Sequence, residues 1–222
     1  MPFARTAAAT VVFTCLLFPA GTHATAAAAP GDKVTAPVQD LLARLPVWAE
    51  DRTGYERTAF RHWIDADGDG CNTRAEVLKA EAVIAPAQDA DCRLSGGEWS
   101  SPYDNRYLEG PGGVDIDHLV PLAEAWDSGA SAWTAKEREA YANDLGDDRP
   151  LIAVSAASNR AKGDQDPATW LPPAAGYHCT YVTDWVADKL RWGLSVDSTE
   201  QAALTDVLSR CPNVSVTVAR AR

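Results

Sequence analysis

A carboxylate lies directly beside a histidine in residues 115–121, which read Asp-Ile-Asp-His-Leu-Val-Pro. Asp117 offers the oxygen ligands that a hard divalent cation prefers, and His118 could accept a proton from water. About forty residues later, Asn159, Arg160 and Lys162 add an amide and two cations. These residue types together predict metal-assisted hydrolysis of a phosphodiester, in which cations stabilise the negative charge that develops during attack by water.

Two short strands and a helix are expected to position these side chains. Residues 114–118 and 151–154 have the pattern of short strands, and Ser155 is a suitable cap for a helix that carries Asn159. A regular strand would direct neighbouring side chains to opposite faces, so we expect the first strand to end near Pro121. The following helix should then bring Asn159 close to that strand end, with Lys162 one turn farther along.

The remaining patterns predict an α+β fold that is mostly helical. Helical spacing is found at residues 38–48, 57–64, 76–84, 121–126 and 134–145, and in a C-terminal helix pair at residues 178–211. Residues 92–107 are rich in Gly, Ser, Asp and Asn and predict a hairpin or ordered loop. Trp99 and Tyr103 lie in that polar segment, where their rings could stack on nucleic-acid bases.

The first 29 residues have the composition of a secretory signal peptide. Arg5 provides a positive charge, residues 7–20 are apolar, and the run of alanines at 26–29 offers small-residue cleavage sites. Residues 30–56 then form a leader and N-terminal helix, and residues 57–222 form one catalytic domain with its core at about 114–165. We therefore expect a secreted protein with no membrane span after cleavage, and a monomer.

Four cysteines remain after the leader, which is an even number in an exported chain and predicts two disulfides. Three pairings are possible for four cysteines. We favour Cys71–Cys92 and Cys179–Cys211, because each bond closes a short and separate segment. Structural zinc is disfavoured, because the sequence contains no Cys-x-x-Cys pair.

The charge balance is acidic, with 20 basic and 31 acidic residues. Loss of the leader removes Arg5 and no acidic residue, which changes the formal net charge from −11 to −12. Such a field repels nucleic acid at long range and disfavours a binding protein that holds nucleic acid by charge alone. An enzyme with a metal ion and a local group of cations remains compatible with it.

The chain resembles the HNH endonucleases, whose site is a β-hairpin and a helix that bind one metal ion. The likeness extends over about residues 57–211, and it is greatest to a small secreted bacterial branch related to nuclease domains of restriction systems. It rests on Asp117-His118-Leu119-Val120-Pro121, Asn143, Leu151-Ile152-Ala153-Val154 and Asn159-Arg160-Ala161-Lys162.

The resemblance implies a role for each matching position. His118 would be the general base, and Asp117 and Asn159 would bind one catalytic Mg²⁺ or Mn²⁺ ion. Asn143 would orient the loop that holds the base. Arg160 and Lys162 would contact the phosphate of a DNA, or RNA, substrate.

A second acidic motif at residues 65–76 fits the twelve-residue calcium loop of EF-hand proteins. Asp65, Asp67, Asp69 and Glu76 supply oxygens at loop positions 1, 3, 5 and 12, with Gly70 at the turn. Helix patterns flank the loop on both sides. The segment could therefore hold a structural Ca²⁺ ion, or be an acidic loop held by arginine side chains without a metal.

Two functions of different classes follow from these patterns. The first is a secreted, metal-dependent endonuclease of low sequence specificity, since no groove-reading element is evident. The alternative is a non-enzymatic extracellular calcium-binding module centred on residues 65–76. Cleavage of plasmid DNA would separate the two.

Overall fold

The computed structural model describes Met1 and residues 29–222. The predicted signal peptide lies outside the described residues, except for its first and last positions. Within residues 29–222 the elements follow one another as a mixture of helices and short strands. The fold is therefore α+β, and the expectation that it is mostly helical is too strong, because nine short strands are present and only those within residues 94–109, 114–118 and 151–155 lie where strands or a hairpin were expected.

Seven α-helices are present in the described part of the chain. Their bounds are α1 Val38–Leu42, α2 Thr73–Ala80, α3 Leu122–Asp127, α4 Ala135–Ala142, α5 Ala156–Lys162, α6 His178–Trp192 and α7 Ser198–Leu208. Four 3-10 turns accompany them at Arg57–Ala59, Pro111–Gly113, Ala130–Ala132 and Ala175–Tyr177.

The strands form four small antiparallel sheets. β1 pairs with β9, β5 lies between β2 and β6, β3 pairs with β4, and β7 pairs with β8. Their bounds are β1 Lys33–Pro37, β2 Ala82–Ile84, β3 Ala87–Gln88, β4 Leu94–Ser95, β5 Glu98–Ser101, β6 Arg106–Glu109, β7 Val114–His118, β8 Leu151–Ser155 and β9 Ser215–Ala219.

Two apolar clusters hold these elements together. The larger is built around α6, where Tyr181, Val182 and Trp185 are completely buried against residues of α1, α3 and α7. The smaller lies between α2, β5, β7 and β8 and contains Trp99 and Ile116. β7 and β8 therefore lie between a helical core on one side and a smaller mixed core on the other.

Both predicted disulfides are confirmed. Cys71 is bonded to Cys92, and Cys179 at the start of α6 is bonded to Cys211 just after α7. The first bond follows the acidic loop at residues 65–70, and the second joins the two C-terminal helices.

Several predicted helices differ from the structure for local reasons. Residues 57–64 form only the turn Arg57–Ala59, because Phe60 is extended and Trp63 has a positive φ of 58°. The predicted helix at 76–84 begins earlier, at Thr73, where the Asn72 side chain caps it, and its last residues form β2. The leader at residues 30–56 contains β1, whose partner β9 is remote in the sequence.

Candidate functional site

The segment that contains the Asp-His pair is the strand β7, and it pairs antiparallel with β8. Asp117 lies opposite Ile152 and His118 lies opposite Leu151. The chain continues from β8 directly into α5, whose cap Ser155 accepts a hydrogen bond from the Ser158 amide at 3.2 Å. Two antiparallel strands followed by a packed helix thus bring residues 117–118 and 159–162 to one place.

A pocket of about 210 Å³ lies at this place, between the end of β7 and α5. Four of the six side chains expected to act in catalysis or phosphate binding border it, namely His118, Asp117, Asn159 and Arg160, whereas Asn143 and Lys162 do not. The other lining residues are Arg57, Ile116, Pro121, Leu122, Gly163 and Asp164. The structure therefore brings together the two halves of the motif, which are about forty residues apart in sequence.

The imidazole of His118 is buried and has one fixed nitrogen. Its Nε2 lies 2.9 Å from the carbonyl oxygen of Ala142. A carbonyl group only accepts hydrogen bonds, so Nε2 carries the proton and Nδ1 carries the free electron pair of the neutral ring. Burial lowers the pKa of His118 to about 3, and the nearby positive charge of Arg57 acts in the same direction. The ring is thus held as a neutral imidazole.

Two aromatic rings pack against His118, and the amide of Asn143 fixes the backbone on either side of it. The rings of Trp63 and Tyr141 lie nearly parallel to the imidazole, with centroids 5.3 and 6.5 Å away. Asn143 donates from Nδ2 to the carbonyl oxygens of Arg61 and Glu139 and accepts from the Ile64 amide. Asn143 therefore joins the end of α4, which carries the Ala142 carbonyl, to the segment that carries Trp63.

Asp117 is buried and has one carboxylate oxygen fixed by two donors. Its Oδ2 accepts from Lys162 Nζ at 2.6 Å and from the Tyr103 hydroxyl at 2.7 Å. Burial raises the pKa of Asp117, while the ammonium of Lys162 acts against this rise. The contacts of Oδ2 leave Oδ1 as the carboxylate atom that could bind an ion at the pocket.

Asn159 is oriented by a residue to which the sequence analysis assigned no role. Its Nδ2 donates to Asp115 Oδ2 at 3.1 Å. Because the amide nitrogen is engaged there, the remaining polar atom of Asn159 is Oδ1, another hard oxygen donor. Asp115 and Asp117 are two residues apart on β7 and lie on the same face of the strand.

Lys162 does not lie where a phosphate contact was expected. Its side chain is completely buried, and Nζ binds Asp117 and the His118 carbonyl oxygen. The expectation failed because exposed lysines are far more common than buried ones, and nothing local in the sequence shows the burial of this one. Arg160, by contrast, is exposed at the border of the pocket, as expected for a phosphate contact.

Trp99 and Tyr103 are not available for base stacking, because both are completely buried. Trp99 donates from Nε1 to the Leu78 carbonyl oxygen, and Tyr103 holds Asp117. The polar composition of their segment was misleading, since both rings are buried although neighbouring polar residues such as Ser100, Asn105 and Arg106 are exposed. Tyr103, Trp63, Asp115 and Arg57 are the residues near the site whose roles the sequence did not indicate.

The acidic loop at residues 65–76 folds separately from the pocket. Oxygens of Asp65, Asp67 and Asp69 come within 4.8 Å of one another, and Glu76 groups with Asp69 in a second set. α2 follows the loop as expected, but no α-helix precedes it among residues 43–64. The flanking helix expected on that side is therefore wrong, because Phe60 anchors an extended segment there. Binding of Ca²⁺ to this loop stays a prediction.

Comparison with known proteins gives a family and a relative. The family described as "GmrSD restriction endonucleases, C-terminal domain" matches residues 77–207, a range that includes β7, β8 and α5. A protein of the fungus Arthroderma benhamiae, named "Uncharacterized secreted protein", is 44% identical over 174 residues. That alignment covers 78% of this chain and 84% of the relative. No solved structure matches the chain.

The fungal relative also bears on two earlier expectations. The resemblance was expected to be greatest to a bacterial branch, but this relative is fungal. Its name describes a secreted protein, as was expected for this chain. In the described part of this chain, none of the helices combines the length and apolarity that crossing a membrane requires.

Proposed function

The chain belongs to the family of the C-terminal domain of GmrSD restriction endonucleases, and from this we propose that it is a secreted, metal-dependent endonuclease. The proposed reaction is hydrolysis of phosphodiester bonds in DNA with little sequence specificity, and RNA is the alternative substrate to be tested. The observation that carries the proposal is the common pocket of His118, Asp117 and Asn159. We further propose that the protein acts as a monomer.

His118 is the proposed general base. With Nε2 held by the Ala142 carbonyl, Nδ1 is the nitrogen that would take a proton from the attacking water. Burial lowers the pKa of His118 to about 3, which makes the imidazole by itself a weak base. The negative charge of a bound phosphodiester would raise this pKa, because it favours the protonated imidazole.

The side chains at the pocket fit a hard divalent ion such as Mg²⁺ or Mn²⁺. Asp117 Oδ1 and Asn159 Oδ1 are oxygen atoms that could coordinate such an ion. The other polar atom of each side chain is already hydrogen-bonded, Asp117 Oδ2 to Lys162 and Tyr103, and Asn159 Nδ2 to Asp115. When bound, such an ion would supply positive charge that stabilises the phosphoryl and leaving-group oxygens. Arg160 would bind the phosphate from the open side of the pocket.

Plasmid nicking by the mature protein tests the proposal. We expect cleavage with Mg²⁺ or Mn²⁺ and its loss with EDTA. His118→Ala should lower the rate by about 100- to 10,000-fold, since that is the usual contribution of a general base. Circular dichroism and the melting temperature should show that the variant is folded. Undiminished cleavage by folded His118→Ala would refute the mechanism.

A structural calcium ion at residues 65–76 remains a separate proposal, supported by the close approach of the Asp65, Asp67 and Asp69 carboxylates. Ca²⁺ binding to the folded state should raise the melting temperature, with a stabilisation of about 2.7 kcal/mol at 100 times the Kd. Asp67→Asn should reduce this increase. A calcium effect on stability in a protein that cuts no nucleic acid with any metal would favour a non-enzymatic calcium-binding module.

A further inference from the structure

An arginine from a remote part of the sequence borders the pocket that contains His118. Arg57 belongs to the 3-10 turn Arg57–Ala59, about sixty residues before His118. It lines the same cavity as His118, Asn159 and Arg160.

The position of Arg57 is fixed by packing on both sides of it. The rings of Tyr55 and Phe60 each pack edge-to-face with Trp126, with centroids 6.0 and 6.4 Å apart. Phe60 is almost completely buried, and Arg138 Nε donates to the Ala59 carbonyl oxygen at 3.2 Å. Trp126 lies on α3, which follows the Asp-His motif directly. The turn is therefore anchored to the same part of the fold that holds the motif.

The guanidinium groups of Arg57 and Arg160 have no carboxylate partner among residues 29–222. Nearby Arg52, by contrast, is paired with Asp127 at 2.6 Å and with Asp164 at 3.7 Å. Both unpaired arginines are exposed at the pocket. Since a guanidinium group binds phosphate oxygens through two parallel hydrogen bonds, the pair forms a suitable anion-binding surface.

The size of the pocket limits what the two arginines could bind. Its volume is about 210 Å³. That volume lies below the ~300–1,000 Å³ typical of sites that enclose a small organic ligand. A phosphate group with its hydration fits this space better than an extruded nucleotide base does.

We infer that Arg57 binds the non-bridging oxygens of the scissile phosphodiester, together with Arg160, in the pocket that contains His118. Arg57 takes the role of phosphate contact that the buried Lys162 cannot fill. The site then binds the sugar-phosphate backbone and reads no base. This inference rests on the proposed nuclease function.

Binding and cleavage by matched variants test the inference. Binding of a short labelled DNA duplex is measured by fluorescence anisotropy in the His118→Ala background with Mg²⁺ at several salt concentrations. Arg57→Gln is compared with Arg44→Gln, which removes an exposed charge outside the pocket. We expect Arg57→Gln to weaken binding by roughly 10- to 100-fold. The slope of log K against log salt should fall by about 0.9, as for the loss of one phosphate contact.

Steady-state cleavage with His118 intact gives a second readout. Arg57→Gln should raise KM by a similar factor, and Arg57→Lys should keep the salt slope but lose part of the affinity, because lysine has no planar fork. If Arg57→Gln is not folded, Arg57→Lys alone decides, and wild-type affinity in that variant would contradict the inference.

The outcomes separate the inference from the proposed function. Wild-type cleavage together with equal binding by Arg57→Gln and Arg44→Gln overturns the inference and leaves the nuclease proposal standing. A wild-type protein that neither binds nor cuts DNA or RNA overturns both.

Discussion

Lys162 and Lys189 are both completely buried, and both bind carboxylates at 2.6 Å, yet their surroundings differ. Lys189 lies between Glu124 and Glu200 and also binds Ser128 and the Ser195 carbonyl oxygen. Lys162 has fewer acceptors, and its carboxylate partner, Asp117, borders an open pocket together with His118. A buried ion pair by itself therefore identifies neither a stabilising contact nor an active site.

The Lys189 cluster shows how composition can mislead. Carboxylate oxygens of Glu50, Glu124 and Glu200 come within 4.8 Å of one another, which by residue type resembles a metal site. The ammonium of Lys189 already supplies the positive charge between two of them. Beside Lys162 the comparable feature is a single carboxylate with one oxygen engaged, next to a neutral imidazole and an oriented amide. Under the proposed function, this difference is the reason to expect chemistry beside Lys162 and structural support around Lys189.

Lys162→Met should have the largest combined effect. Removal of the ammonium leaves Asp117 buried without its partner, which should cost about 3–5 kcal/mol of unfolding free energy. Cleavage per folded molecule should also fall by roughly 10- to 100-fold, because Asp117 loses the contact that orients it. Urea unfolding and nicking rates at low temperature measure the two effects. Cleavage at the wild-type rate by the folded fraction would contradict a positioning role for Lys162.

Lys189→Met should separate the two regions. We expect a similar loss of about 3–5 kcal/mol of unfolding free energy, because two buried carboxylates lose their shared cation. The nicking rate per folded molecule should remain that of the wild type, since Lys189 does not border the pocket. A large loss of activity in folded Lys189→Met would remove the distinction between the clusters.

Asp115→Ala should have a smaller effect, confined to the pocket. Without Asp115 the Asn159 amide is free to rotate, so the affinity for a divalent ion should fall by roughly tenfold. Mn²⁺ binding measured by isothermal titration calorimetry tests this without reference to activity. Asp164→Ala is a suitable control, because it removes a carboxylate from the pocket border without touching Asn159. Equal affinities of the two variants would argue against the orienting contact.

Glu200→Gln should give the smallest change, visible only as a function of pH. Burial raises the pKa of Glu200 to about 7 from an ordinary 4.5, since one ammonium balances only one of two carboxylates. The folded state thus holds this proton more tightly, and the stability it contributes is present below pH 4.5 and lost as pH rises through 7. Between about pH 5 and pH 8, the free energy of unfolding should therefore fall more for the wild type than for Glu200→Gln. Parallel pH profiles would rule out this titration.

The sequence predicted the local parts of the site well. β7 has the expected bounds, β8 extends one residue farther, and Ser155 caps α5 as its side-chain chemistry indicated. Both disulfides were predicted because each joins residues that are near in sequence. In these cases the signals are short-range, such as strand alternation, a cap residue or a short closed loop.

The parts that were not predicted depend on contacts between remote residues. The burial of Lys162 follows from its partner Asp117, and the place of Arg57 follows from Trp126, neither of which has a local sequence signal. The ring of Trp63 stacks on His118 because the chain leaves the turn at residues 57–59 in an extended conformation, where a helix was expected. Tertiary packing decides such positions, and helical spacing alone does not reveal it.

The pairing of β1 with β9 joins residues 33–37 to residues 215–219. During synthesis the first of these strands has no partner until almost all of the following chain has left the ribosome. Because contacts between residues so far apart in sequence form slowly, we expect this sheet to be among the last parts of the fold to close.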